Sequence, residues 1–260
     1  MHYQKVVSIA NHKGGVAKSQ TAIELSYYLA SQGNKVLVID TDPQANASDI
    51  LLRGAEPEGR RIAEILIANK GIESSDIQTR RFDNNASVDF ICSGIDAVRL
   101  EARITATIKE FVFADALATV KDKYDFVVID TPPSSELLSL SALIASDCVL
   151  VPVTPDKPSI DGVHSIIRMT DTICTTPRLN PNLWVKGILV TRYRATLSTM
   201  RGVHKLKEEF GNLVISQHIR ECTRVQQAVE DCKPVQEYDP SCNAAKDYYT
   251  AFKTMYKQWN

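Results

Sequence analysis

Two lysines, Lys13 and Lys18, bracket the pair Gly14-Gly15 in the stretch Asn-His-Lys-Gly-Gly-Val-Ala-Lys-Ser-Gln-Thr at residues 11–21. Backbone N–H groups of Gly14, Gly15, Val16, Ala17 and Lys18, placed at a helix N-terminus, form a concave anion site that the helix dipole reinforces. Lys18 would bring its ammonium to the β- and γ-phosphates of a nucleotide. Ser19 would offer a hydroxyl to Mg²⁺, and Gln20 completes the loop. The string departs from the pattern G-x-x-x-x-G-K-[ST], since His12 and Ala17 stand where it has glycine. A Cβ at position 17 is tolerated at negative φ and strained at positive φ.

Acids recur in two further places. Asp40 and Asp42 open the segment Asp-Thr-Asp-Pro-Gln-Ala-Asn at 40–46, and Asp130 closes the apolar run at 126–129. Two acids after a strand can serve as a turn and a helix cap. Beside a phosphate loop they do more: a nucleotide site needs a group to orient the attacking water and acids to hold a hydrated metal, and Asp130, after four apolar residues, has the form of an acid that reaches Mg²⁺ through water.

These residues need strands and helices to bring them together. Apolar runs at 5–10, 36–40, 88–92, 124–130, 148–153 and 185–191 read as strands, with a further apolar run at 213–215. Helical spacing appears at 19–32, 62–67, 100–121 and 244–259, while 53–90 is the least readable region. Strand, loop, helix and strand within about 35 residues make a βαβ unit with a right-handed crossover. The expected fold is α/β: a doubly wound, mostly parallel sheet with helices on both faces, formed by one domain over 1–260. In such sheets ligands bind beyond the carboxyl ends of the strands, where the loop and all three acids fall.

The chain has 260 residues, 44% hydrophobic and 23% charged, which suits a globular protein. No apolar run reaches 18 residues, and no signal-peptide pattern precedes the first strand, so a cytoplasmic location is expected. The six cysteines make no C-x-x-C pair and read as reduced thiols. Net charge is −1, unevenly spread: Arg178–Asn260 holds 13 Lys/Arg against 8 Asp/Glu, a net +5, leaving −6 for residues 1–177. Between 186 and 207 stand Lys186, Arg192, Arg194, Arg201, Lys205 and Lys207 with no acid. On charge alone, such a stretch is a solvated face or a polyanion surface.

The chain resembles the ParA family of partition ATPases, within the deviant Walker A group of P-loop NTPases that includes MinD and the nitrogenase iron protein. The matching residues are Lys13-Gly14-Gly15-Val16-x-Lys18-Ser19, Asp40-x-Asp42-Pro43-Gln44-x-Asn46 and 124–130 with Pro132-Pro133. Val151-Pro152-Val153, Asp161-Gly162, 187–191, Ala228, Lys233-Pro234-Val235 and Tyr238-Asp239-Pro240 also fit. The match runs from about residue 5 to 250, with 53–120 fitting only in outline. It lacks the added N-terminal DNA-binding region of the family's longer members.

The resemblance implies a homodimer that sandwiches ATP and Mg²⁺, with Lys13 reaching the partner's phosphates. It implies Asp42 in hydrolysis, Asp40 in support of the metal site, and a nucleotide-sensing switch after Asp130. It further implies nucleoid association through non-specific double-stranded DNA binding, and release when a ParB-type centromere-binding protein stimulates slow hydrolysis. Arg192, Arg194, Arg201, Lys205, Lys207, Arg220 and Arg224 are then the candidate DNA contacts. Ala17 and Gln20 depart from the family's usual Gly and Thr, which bears on hydrolysis rate more than on ATP binding. Two other roles fit the same motifs: a MinD-like ATPase at a membrane surface, or a ParA-like ATPase positioning a protein cargo. The membrane role needs a basic amphipathic C-terminal helix, for which Tyr248, Tyr249, Phe252, Met255, Tyr256 and Trp259 form an apolar stripe. That stripe equally suits a terminal helix packed on the core, and no membrane partner is expected. Cluster cysteines are missing from Thr131-Pro132-Pro133-Ser134, against a nitrogenase-like redox role.

Overall fold

Apolar runs of five or six residues, unbroken by polar alternation, are stable only where both faces of a strand are covered. Three segments have that character: β2 (Val36–Asp40), β5 (Phe126–Asp130) and β6 (Cys148–Val153), each buried along its whole length. In a computed structural model describing residues 5–94, 103–104, 109–133 and 136–259 they lie inside one seven-stranded sheet. The remaining strands are β1 (Lys5–Ile9), β3 (Gln78–Arg81), β4 (Ser87–Ile91) and β7 (Trp184–Val190), in the order β3-β4-β2-β5-β1-β6-β7. All neighbours pair parallel except β3 and β4.

Side chains alternate across these strands. Val7, Ile9, Val36, Val38, Phe126 and Val128 join one core cluster, and Val6, Leu37, Ile39, Val127 and Ile129 another. The first is covered by α1 (Lys18–Ser31) and α10 (Asn243–Lys257). The second is covered by α3 (Ile62–Ala68), α4 (Val112–Ala118) and α5 (Glu136–Ile144). A third cluster packs α6 (Lys157–Thr175) and α7 (Leu197–Phe210) against β6 and β7. The sheet is therefore doubly wound, as expected.

Several details were not expected. β3 carries Gln78-Thr79-Arg80-Arg81, a polar edge strand without apolar alternation. Short helices α2 (Asn46–Leu52), α8 (Thr223–Glu230) and α9 (Val235–Tyr238) give no clear periodic signal. Of the helix expected over 100–121, the described residues show Val112–Ala118 as an α-helix flanked by single 3₁₀ turns, with Arg103 also helical; residues 100–102 and 105–108 lie outside them. The 213–215 run makes only one bridge, Val214 to Ile188, and helps cover the β7 edge through Ile215 N donating to Ile188 O at 2.9 Å.

The C-terminal helix is present, and its stripe packs on the core except at Tyr249, which is exposed. Tyr248, Phe252 and Met255 are buried against α1 and the sheet. Tyr28 of α1 meets Tyr249 and Tyr256 edge-on, and Phe126 packs on Trp259. Burying side chains of this size stabilises by about 1.5–3 kcal/mol each. No helix among the described residues is long and apolar enough to cross a membrane.

Candidate nucleotide site

The six parallel strands end on the same side of the sheet, and the site is assembled there. β1 runs into residues 10–17, and the amide of Asn11 fixes their path. Its Nδ2 donates to Pro152 O at 2.8 Å, and its Oδ1 accepts from Lys13 N at 2.9 Å. Gly162 in α6 lets this anchor approach: a Cβ there would stand 2.1 Å from Asn11 Oδ1. From the other side, Thr191 Oγ1 donates to Val16 O at 3.1 Å and Arg192 Nη1 to Gly15 O at 3.2 Å.

The loop then turns through left-handed backbone. Gly15 has φ +77°, which glycine adopts freely. Ala17, one residue before α1, has φ +62° and ψ +38°. This is the strained alternative of the two that the sequence left open, and it costs an L-residue about 1–2 kcal/mol.

The two lysines diverge. Lys18 is buried, with Nζ 3.3 Å from Lys13 O, and burial lowers its pKa against the pull of Asp130 and Asp42. Lys13 is exposed and stands outside the lining of the cleft. That cleft, about 950 Å³, is lined at its floor by Gly14, Gly15, Ala17, Lys18, Ser19, Gln20 and Asp42.

Beneath it lie the acids. β2 and β5 pair in register, so Asp40 and Asp130 are direct neighbours. Asp40 is saturated: Oδ1 accepts from Asp42 N at 3.0 Å, and Oδ2 from Ser48 N at 2.8 Å and Ser48 Oγ at 2.7 Å. Burial still raises its pKa to about 6. Asp42 accepts from Gln44 N at 3.0 Å, which sets the turn into α2. Asp130 differs. It is fully buried, and neither oxygen has a partner in hydrogen-bond geometry among the described residues. Burial and the adjacent Asp40 push its pKa well up, while the nearby Ser19 hydroxyl and Lys18 ammonium only partly oppose that.

A buried carboxylate without a donor calls for a counter-charge. A divalent cation beside Ser19 fits, with Asp130 reaching it directly or through water. No group of three or more His, Cys, Asp or Glu among the described residues could hold a metal alone. The fit is therefore to an ion shared with phosphate oxygens, as hard cations are in nucleotide sites.

The expected DNA-contact set is divided by the structure. Arg192 is engaged with the loop, and Arg194, which pairs with Glu221, lines the cleft beside it. Arg220 makes a bidentate pair with Asp247 at 2.7 Å for each bond, and Arg224 approaches Asp239 at 3.4 Å. Lys205 pairs with Glu209 at 3.5 Å. Arg201 and Lys207, exposed on α7, have no ion pair among the described residues. Sequence reasoning missed Asn11, Ser48 and Thr191 as site-builders; their signal was a polar residue just after a strand (Asn11, Thr191) or within a short helix (Ser48), which is common and weak.

A phosphate loop between β1 and α1, with acids at the ends of β2 and β5, defines a P-loop NTPase. Residues 4–185 match a family described as an AAA domain. The chromosome partitioning protein ParA of Caulobacter vibrioides is 31% identical over 228 residues, covering 86% of this chain and 83% of that protein. A putative plasmid partition protein of Borrelia burgdorferi, solved bound to AMPPNP, superposes with a TM-score of 0.81 at 26% identity, covering 98% and 99% of the two chains. Cobyrinic acid a,c-diamide synthase of Mycobacterium smegmatis, solved with an ATP analogue and magnesium, gives 0.81 at 26% identity over 99% and 96%. The chain belongs to the AAA-domain family and, within it, to the ParA/MinD ATPases.

Two substitutions test the loop geometry. Ala17→Gly removes the left-handed strain and should raise stability by about 1 kcal/mol, about 2–4 °C in melting temperature. Gly162→Ala drives a methyl into Asn11 and should cost about 1–3 kcal/mol in chemical denaturation, with weaker nucleotide binding in parallel.

Proposed function

We propose that the protein is an ATP-dependent switch that binds DNA without sequence preference and segregates plasmid or chromosomal DNA, hydrolysing ATP slowly with Mg²⁺. The observation that carries the nucleotide part is the buried, unpartnered Asp130 carboxylate beside Lys18 and Ser19, under a loop of backbone donors. The loop N–H groups and Lys18 bind the phosphates, and Lys18 neutralises charge on the transferring group. Ser19 and Asp130 would hold Mg²⁺, with Asp40 bracing the segment that carries Asp42. The ion, when bound, would supply neutralisation of phosphate charge. Asp42, at the cleft floor, orients the attacking water.

Lys13, exposed beyond the cleft, is free to reach a second copy, so dimerisation with ATP follows from the same loop. DNA binding rests on the cationic face of α7, with Arg201 and Lys207 as its unpaired charges. The partner proposed for stimulating hydrolysis is a ParB-type protein. The burial of Tyr248, Phe252 and Met255 from the C-terminal stripe argues against the membrane-surface role.

Calorimetry with Mg²⁺ should show ATP binding, and its absence would sink the proposal. Asp42→Asn should lower turnover by about 100-fold or more while ATP affinity stays within about two-fold. Lys18→Ala should lose ATP binding. Co-sedimentation with ATP should pull the protein down with DNA and leave it in the supernatant with anionic liposomes; the reverse would favour the membrane role. Arg201→Ala and Lys207→Ala should each reduce the salt slope of DNA binding by about 1.

A further inference from the structure

One buried charge lies outside the chemistry described so far. Glu24 sits on α1 among Ala22, Ile23 and Leu25, and is fully buried. A carboxylate in such a place is costly unless donors surround it. Here they do. Gln20 Nε2 donates to Oε1 at 2.6 Å, the Val235 N–H donates to the same oxygen, and Gln236 donates to Oε2 from its backbone N at 3.3 Å and its Nε2 at 2.9 Å. Gln236 Nε2 also reaches the Glu24 carbonyl at 2.9 Å. Every one of these donors is neutral, and burial raises the carboxyl pKa to about 7.

These donors connect two sides of the cleft. Gln20 follows Ser19 and lines the floor, whereas Val235 and Gln236 begin α9, just after α8. α8 forms the opposite wall through Thr223, Val225, Gln226 and Val229. Ala228 is the only residue of α8 that is fully buried. Ala228 and the half-buried Val225 give this helix little apolar anchorage. Its C-terminal end is instead closed by Lys233 N donating to Ala228 O at 2.8 Å, and the next residues are held by Glu24. Gln20, the departure from the family's usual threonine, is part of this clamp.

We propose that Glu24 is a positioning residue for the nucleoside side of the site. By fastening the Val235–Gln236 backbone to the phosphate-loop helix, it sets where the α8 wall stands, and so the preference for a nucleoside triphosphate over a bare polyphosphate. This rests on the nucleotide reading above. Phosphate binding rests on the loop and the metal-holding side chains, away from α8; the wall adds affinity only for a ligand that extends beyond the phosphates.

Glu24→Gln replaces one acceptor oxygen by a donor that must face another donor, at nearly constant volume. Calorimetry with Mg²⁺ would use ATP and inorganic tripolyphosphate as probes. The variant is expected to bind ATP about ten-fold more weakly while its tripolyphosphate affinity stays within about two-fold, with KM raised more than kcat is lowered. Gln236→Met removes two donors from the wall side and leaves α1 untouched. It should show the same selectivity at about three-fold, and it decides the matter if Glu24→Gln does not fold. Equal weakening of both probes, or undiminished ATP affinity, in a folded variant would overturn the inference. Native protein that binds both probes equally would also overturn it, whereas native protein that binds neither would overturn the nucleotide reading instead.

Discussion

The site is organised around a pair of like charges that the sheet forces together. β2 and β5 are adjacent and in register, so Asp40 and Asp130 end side by side at the carboxyl edge, both buried. Two carboxylates in contact, away from water, cannot both be ionised without compensation. Asp40 draws it from Ser48 and the Asp42 backbone. Asp130 has only the through-space help of Lys18 and Ser19. The strand pairing thus creates an electrostatic demand, and the phosphate loop places a lysine and a hydroxyl where it is felt. A cation and a polyphosphate binding together would meet that demand and stabilise the native state through linkage.

The backbone of the loop serves the same end at a cost. Its carbonyls at Gly15 and Val16 are tied to Arg192 and Thr191, and its Lys13 N–H donates to Asn11. The left-handed turn at Ala17 is held against its own preference by these contacts. The close passage of α6 at Gly162 is part of the same support. Strain at the loop is tolerated because three separate elements over-determine its shape.

Legibility in the sequence followed burial. Strands covered on both faces announce themselves as apolar runs, which is why β1, β2, β5, β6 and β7 were readable, and with them the positions of the loop and its acids. β3 was not readable because an edge strand needs no apolar alternation. Helices α2, α8 and α9 are only four to eight residues long, which leaves a helical period little length in which to show. The basic stretch misled in a different way. Its charges look free in sequence because their partners are distant along the chain, as with Arg194 and Glu221, or Arg220 and Asp247. Ion pairing of that kind is decided by the fold, not by local composition.

The buried acids carry the last distinction. Six are buried among the described residues: Glu24, Asp40, Asp42, Asp76, Asp130 and Asp247. Glu24 holds the start of α9, and Asp247 holds Arg220 by its backbone and guanidinium. Asp76 closes on Arg60 and Glu73 N, while Asp40 and Asp42 shape the turn into α2. Each of these five accepts hydrogen bonds from the protein itself, which is how a fold makes a buried carboxylate tolerable. Asp130 accepts none in hydrogen-bond geometry. Since the chain evidently has the means to satisfy a buried acid, leaving that one open is best explained by chemistry that arrives with a ligand.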